Sequence, residues 1–236
     1  MERSTDIGSP AHQDAHLTRS RGTLDREERV VKDGILRMGS LVESQIRGGV
    51  ASLVDRDLGR AELIIAGDAE VNEAQREVTD TIATTIATQS PVARDLRFLL
   101  ALNHVAFELE RIGDHAASIA KQTRWLTSTS APPVGPSLGA MGEVAADLVA
   151  GIIHALVDID DRLAREVAAR DDEIDHEYRR MFADVVQVMR EDPQAVEGGT
   201  RLILAGHWIE RIGDRVTNIA EDIVYLATGQ VEDLNR

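Results

Sequence analysis

The five residues Glu110-Arg111-Ile112-Gly113-Asp114 return unchanged at Glu210-Arg211-Ile212-Gly213-Asp214, one hundred positions later. This echo limits the fold more than any other feature, because it demands two halves of similar design. Its flanks agree: Ile119-Ala120 is repeated as Ile219-Ala220, and Asp68-Ala69-Glu70-Val71-Asn72 is answered by Asp171-Asp172-Glu173-Ile174-Asp175 at an offset of 103. A five-residue identity by chance in a chain of this length has odds of roughly one in a hundred, so internal duplication is the better account.

The apolar residues recur with helical period. Val31, Ile35, Met38, Val42, Ile46, Val50 and Leu53 step by three or four, which predicts a first helix over 24–56 behind a loose tail, 1–23. A second is expected from Leu58 to Thr88, with Ile64, Ile65, Val71, Val78, Ile82 and Ile86 as its stripe. Ser90-Pro91 reads as cap and first turn of a third that ends near Thr127. The Ser, Thr, Pro and Gly residues that follow form a linker, 129–141. Helices four (138–170, carrying Leu148, Ile152, Ile153, Leu156, Val157, Ile159 and Leu163) and five (172–191) come next. Asp192-Pro193 opens a sixth that ends at Gly229, with Gly198-Gly199 able to break its first turns. The expected fold is all-α: two tandem antiparallel three-helix bundles, 24–128 and 142–230, side by side and each burying its own stripes.

Composition narrows the function. Aromatic residues make up only 3% of the chain while Ala, Leu, Ile and Val carry the apolar content, a balance suited to close-packed helices. The net charge of −15 and the interleaving of arginines with acids argue against a nucleic-acid surface. No apolar run approaches the length of a membrane span, and residues 1–20 lack the apolar centre of a signal peptide, so a cytoplasmic protein without membrane insertion is expected. The linker glycines match neither a P-loop nor a dinucleotide fingerprint. No nucleophile, base and acid constellation argues for hydrolysis. Without cysteine, a bound metal would be held by carboxylates, amides, histidines or water, which favours ferric iron, manganese or magnesium and leaves zinc open.

In each motif the two acids are four residues apart, which puts their Cβ atoms about 5–6 Å apart on one helical face, within reach of one hard cation or of two bridged ones. Acidic pairs at this spacing are common in so acidic a chain; the repetition gives Glu110 with Asp114 and Glu210 with Asp214 their weight. Arg111 or Arg211 could instead neutralise the aspartate as an ordinary surface ion pair. Gly113 and Gly213 cost about 1 kcal/mol each inside a helix, so they imply either a tightly packed neighbour or room for an ion. Asn218 and Asp222 extend the acidic face of the sixth helix, whereas the first half has Ser118 and Gln122, so unequal sites are expected. Asp68, Glu70, Asp171, Glu173 and Asp175 are further contributors of lower rank, a solvated helix start being the better account of most of them. A ferritin-like carboxylate-bridged centre would need two Glu-x-x-His motifs, and only Glu173-Ile174-Asp175-His176 fits. A metal-free helical interaction module is the third reading.

The stretches ELERIGDHAASIAK, ERIGDRVTNIAEDIVYLATG and SPVARDLRFL resemble the PhoU family of phosphate-signalling regulators over about residues 24–230. The resemblance implies a cytoplasmic, often dimeric adaptor, not an enzyme. Such a protein acts between the ATPase subunit of the high-affinity phosphate transporter and a sensor histidine kinase, and helps silence phosphate-starvation responses. It also implies binding of iron or another metal, in some members as a multinuclear cluster, through Glu110 with Asp114 and Glu210 with Asp214. Asn72 in place of Asp175, and Ser118 in place of Asn218, set the first half apart.

Overall fold

The computed structural model describes residues 10–128 and 132–234, with side chains from residue 22 onward; among these residues there is no strand. Seven helices carry the described chain: α1 (Pro10–Asp55), α2 (Leu58–Gln89), α3 (Ala93–Leu126), α4 (Pro136–Asp158), α5 (Asp161–Ala168), α6 (Asp171–Glu191) and α7 (Val196–Thr228). The all-α duplicated architecture is therefore as expected, and the stripe from Val31 to Leu53 is buried throughout.

Several boundaries differ for identifiable reasons. The first helix is already helical at Pro10, because no interior proline interrupts residues 11–23, so the boundary expected at residue 24 falls inside α1. Residues 1–9 of the expected tail and 129–131 of the linker lie outside the described residues. Ser90 does not cap α3. It ends α2 in the left-handed conformation (φ 50°, ψ 51°), since the following Pro91 disfavours right-handed helix at that position, and α3 starts behind Val92 without a side-chain cap. Gly198-Gly199 does not break α7; both are buried, and a Cβ on Gly199 would collide with Met189.

The helix expected over 138–170 is broken. Ile159 turns left-handed (φ 51°), and the Asp160 side chain accepts from the Leu163 amide at 3.0 Å to start α5. The corner between α1 and α2 is built the same way, with Arg56 at φ 53° and Asp57 accepting from the Arg60 amide at 3.0 Å. Asp57 and Asp160 stand at the offset of 103 already seen for Asp68 and Asp171. The pair α5–α6 is thus the counterpart of α2, interrupted at Ala169-Arg170 without added residues, since the offset stays 103 on both sides of the break.

The halves do not bury their stripes separately. One continuous core runs from Val31 to Ile223, because α3 packs along α7 and α1 along α4. Contacts between Arg97 and Tyr225, His104 and Asp222, Glu108 and Arg215, and His115 and Trp208 show that α3 and α7 run antiparallel. Since the second motif is the first displaced by one hundred, the seam has its midpoint at the repeat itself, between Arg111 and Arg211. By length and composition α4 is apolar enough to cross a membrane, contrary to the sequence expectation, with mean hydropathy of 1.6 over an 18-residue window. Its Leu138, Met141, Ala145, Leu148, Val149, Ile152 and Leu156 are spent instead on the shared core.

The contact of α1 with α4 needs glycine: a Cβ on Gly142 would stand 2.7–2.9 Å from the branched side chain of Val50, whereas one on Gly139 would meet nothing within 4 Å. Gly142→Ala should therefore cost about 1–3 kcal/mol through forced repacking. Gly139→Ala should be neutral or stabilise by up to about 1 kcal/mol. Thermal unfolding of the two variants checks this, and equal melting temperatures would refute the close approach.

Candidate metal centre

The repeated apolar pattern places the motif. Leu109, Ile112, Ala116 and Ile119 of α3, and Ile209, Ile212, Val216 and Ile219 of α7, are buried, which turns Glu110 and Asp114 toward α2 and Glu210 and Asp214 toward α6. There Glu210 and Asp214 meet Asp171, Asp172 and Asp175 from the first turns of α6 around a cavity of about 410 Å³, closed by Ala168, Ala169, Thr217 and Leu234. Five carboxylates facing one space repel one another. Burial, then Asp175, Asp214, Glu210 and Asp172, push Asp171 up to about 7. Burial followed by Asp214 raises Glu210 as well. The counter-charges in reach are few: Arg211 Nε lies 3.5 Å from Asp214 and Arg179 Nη2 lies 3.0 Å from Asp175, while the imidazole Nδ1 of His207 lies 3.1 Å from Glu210. The surface ion pair foreseen between Arg211 and Asp214 is thus present, at a separation that neutralises only weakly.

Gly213 is where the two readings of the glycine meet. A Cβ there would collide with the Asp171 carboxylate, so the missing side chain admits a carboxylate of the neighbouring helix against the backbone of α7. At Gly113 the neighbours are Gln45 and Val71, each 3.2 Å from an added Cβ, which is helix packing alone.

The first half repeats the site with fewer charges. Asp68 faces Glu110 and Asp114, but Asn72 stands where α6 has Asp175 and donates from Nδ2 to Asp68 Oδ2 at 3.1 Å. Burial and then Asp114 raise both Asp68 and Glu110, while Lys121 draws Asp68 down. The halves differ in charge as expected, and of the two departures read from the sequence it is Asn72, the counterpart of Asp175, that lies at the site.

The donor chemistry fits a hard cation: carboxylates dominate the side-chain oxygens, with the Thr217 hydroxyl among them in the second half and the Asn72 amide in the first, and Asp68 Oδ1 and Asp171 Oδ1 are buried without a hydrogen-bond partner. Among the described residues no three His, Asp or Glu side chains stand close enough for a ready-made ligand set. To form a ligand set these side chains would have to turn toward one another around the cavity.

Asn218 and Asp222 do not belong to this cavity. Each further turn of α7 rotates the acidic line away from α6, so Asn218 Nδ2 donates to Glu108 Oε2 at 3.3 Å and Asp222 accepts from His104 Nδ1 at 2.6 Å, both across the α3–α7 seam. Glu70 pairs with Arg37 at 3.3 Å and Glu173 with Arg170 at 2.9 Å. Glu173 and the exposed His176 leave no ferritin-like constellation. Asp172 was not singled out in the sequence, although three residues before Asp175 it shares that face.

With its ionisation held up to about 7, Asp171 keeps in the folded chain a proton that the unfolded chain has lost above 3.8. Its contribution to stability therefore falls as pH rises from 3.8 to about 7 and stays low above that. In chelator-treated protein, Asp171→Asn should raise the melting temperature at pH 8, and the gain should shrink toward pH 4. Scanning calorimetry across that range reads the slope; a variant that gains equally at every pH would refute the assignment.

The comparisons agree with the duplicated all-α fold. The PhoU domain family profile matches residues 35–123 and 138–223, one match in each half. A phosphate-specific transport system accessory protein PhoU homolog of Clostridium acetobutylicum is 35% identical over 93% of this chain and 100% of its own. The homolog of the same name from Streptococcus pneumoniae serotype 4 is 32% identical over 91% of this chain and 100% of its own. The crystal structure of PhoU from Pseudomonas aeruginosa superposes with a TM-score of 0.83 at 32% identity, covering 87% of this chain and 99% of that one. The phosphate transport system regulatory protein PhoU from Streptococcus pneumoniae gives 0.82 at 29% identity, covering 89% and 99%. Duplicated helices, a repeated motif at their seam and relatives spanned from end to end lead to one assignment: the chain belongs to the PhoU family.

Proposed function

We propose that this protein is a cytoplasmic, homodimeric negative regulator of phosphate uptake and phosphate-starvation signalling. It acts as an adaptor between the ATPase subunit of the phosphate transporter and a sensor histidine kinase, without turnover of its own, without contact to nucleic acid and without insertion into the membrane. The observation that carries this reading is the end-to-end similarity to proteins named as accessory to the phosphate-specific transport system. Deleting the gene should raise phosphate uptake and phosphate-responsive transcription in phosphate-rich medium. Unchanged uptake in the deletion strain overturns the reading.

The carboxylate sites are proposed to hold metal: Glu210 and Asp214 with Asp171 and Asp175 in the second half, and Glu110 and Asp114 with Asp68 in the first. Oxygen donors favour iron, manganese or magnesium, with zinc admitted by availability, as a single ion or a bridged cluster. Support comes from the orphaned carboxylate oxygens and the glycine that admits Asp171. A cation bound only by the folded chain raises its melting temperature by mass action. Glu210→Gln with Asp214→Asn should lower metal content in elemental analysis and remove most of the thermal gain. A double variant with undiminished metal and the same gain assigns the motif to helix packing instead.

A further inference from the structure

A second convergence of side chains lies outside both carboxylate sites, on the seam of α3 and α7. Arg111 and His115 are one turn apart on α3, and Arg211 and Arg215 one turn apart on α7, which sets the Cβ atoms of each pair about 5–6 Å apart. The antiparallel crossing, whose midpoint is the motif, brings the pairs together. His115 stacks on Trp208 with ring centroids 5.2 Å apart, and Arg215, Arg211 and Arg111 all lie near enough to act electrostatically on its imidazole.

The carboxylates at hand leave this cluster incompletely matched. Glu108 takes one nitrogen of Arg215 at 3.4 Å, and Asp214 lies 3.5 Å from Arg211 Nε. Glu110 acts on Arg111 only from a distance, and among the described residues no carboxylate stands within 4.0 Å of the Arg111 guanidinium. Two polar atoms inside the cluster, Arg215 Nε and His115 Nε2, are buried with no hydrogen-bond partner. A buried polar atom without a partner is costly, most of all on a charged group, and here two such atoms lie beside converging guanidinium groups. A ligand rich in acceptors and negatively charged relieves both penalties at once. Guanidinium forks match the paired oxygens of a tetrahedral oxyanion, and several arginines from two helices surround such an ion better than a planar carboxylate.

We infer that the α3–α7 seam carries a binding site for a tetrahedral oxyanion of the phosphate class. The forks of Arg111 and Arg211 grip it from the two helices, Arg215 donates from Nε, and the neutral His115 ring donates from Nε2 in the tautomer that carries its proton there. The ligand is either the free inorganic anion or a phosphoryl group presented on a larger molecule; the chemistry of recognition is the same.

The test is isothermal titration of the full chain, stripped of metal with a chelator and held in chloride buffer, with inorganic phosphate and separately with phenyl phosphate. Saturable binding of at least one is expected. Arg111→Gln with Arg211→Gln should weaken it tenfold or more, whereas Arg201→Gln, at the far end of α7 over the Trp125 ring, should leave it unchanged. Arg111→Lys with Arg211→Lys keeps the charge, protects the fold and should weaken binding to an intermediate degree. Tighter binding of inorganic phosphate supports the free anion, and tighter binding of phenyl phosphate supports a phosphoryl group on a larger molecule. The inference falls if neither probe binds, if the paired variants bind as the parent does, or if Arg201→Gln is equally damaging.

Discussion

Because α3 and α7 cross antiparallel at the repeated motif, each has three obligations within one turn: a face to the common core, a face to the other long helix and a face to its flanking helix. Leu109, Ile112 and Ala116, with Ile209, Ile212 and Val216, fill the first. Glu108 and Arg215, with His115 and Trp208, fill the second. The acidic pairs are what remains for the third, and they are presented to α2 and α6 at fixed height. A helix of 34 residues such as α3 spans roughly 50 Å, so this single crossing orients most of the molecule.

Much of this was legible in the sequence because it follows from period. The stripe from Val31 to Leu53 and the buried face of α3 obey helical spacing, and the motif's recurrence fixed the duplication. What period does not reveal is where a helix bends. The break at Ile159 falls where the helical stripe continues across it to Leu163, and its local signs are the acids on either side, Asp158, Asp160 and Asp161; the role of Asp160 as a cap becomes plain once Asp57 is recognised as its counterpart. Asn218 and Asp222 were misplaced for a related reason: an acidic line continued at intervals of four drifts around the helix, and after two turns it faces another neighbour. The same blindness to packing hid the shared core, since a stripe says that a helix buries a face and not which helix covers it.

The halves diverge most where their charges meet. At the position where α2 offers Asn72 to hydrogen-bond Asp68, α6 offers Asp175, which adds a fifth carboxylate to a space already lined by four. Gly213 then lets Asp171 approach the backbone, where Gly113 meets only the uncharged side chains of Gln45, Val71 and Val42. Both differences act in one direction, toward a more acidic and more strained second site. Duplication supplied one scaffold twice, and substitutions on the flanking helix, not on the motif, have separated the two copies.

Arg211 belongs to both sides of α7, and this ties the two kinds of site together. It faces Asp214 at 3.5 Å on one flank and acts on His115 across the seam on the other. A cation bound at the proposed carboxylate site would take from Arg211 its nearest counter-charge, and an anion bound at Arg211 would free Asp214 for the cavity. Thermodynamic linkage requires the two effects to be reciprocal, each ligand strengthening the other by the same factor. A continuous core holds α3 and α7 in register, so a coupling between the two proposed sites would run through one ion pair.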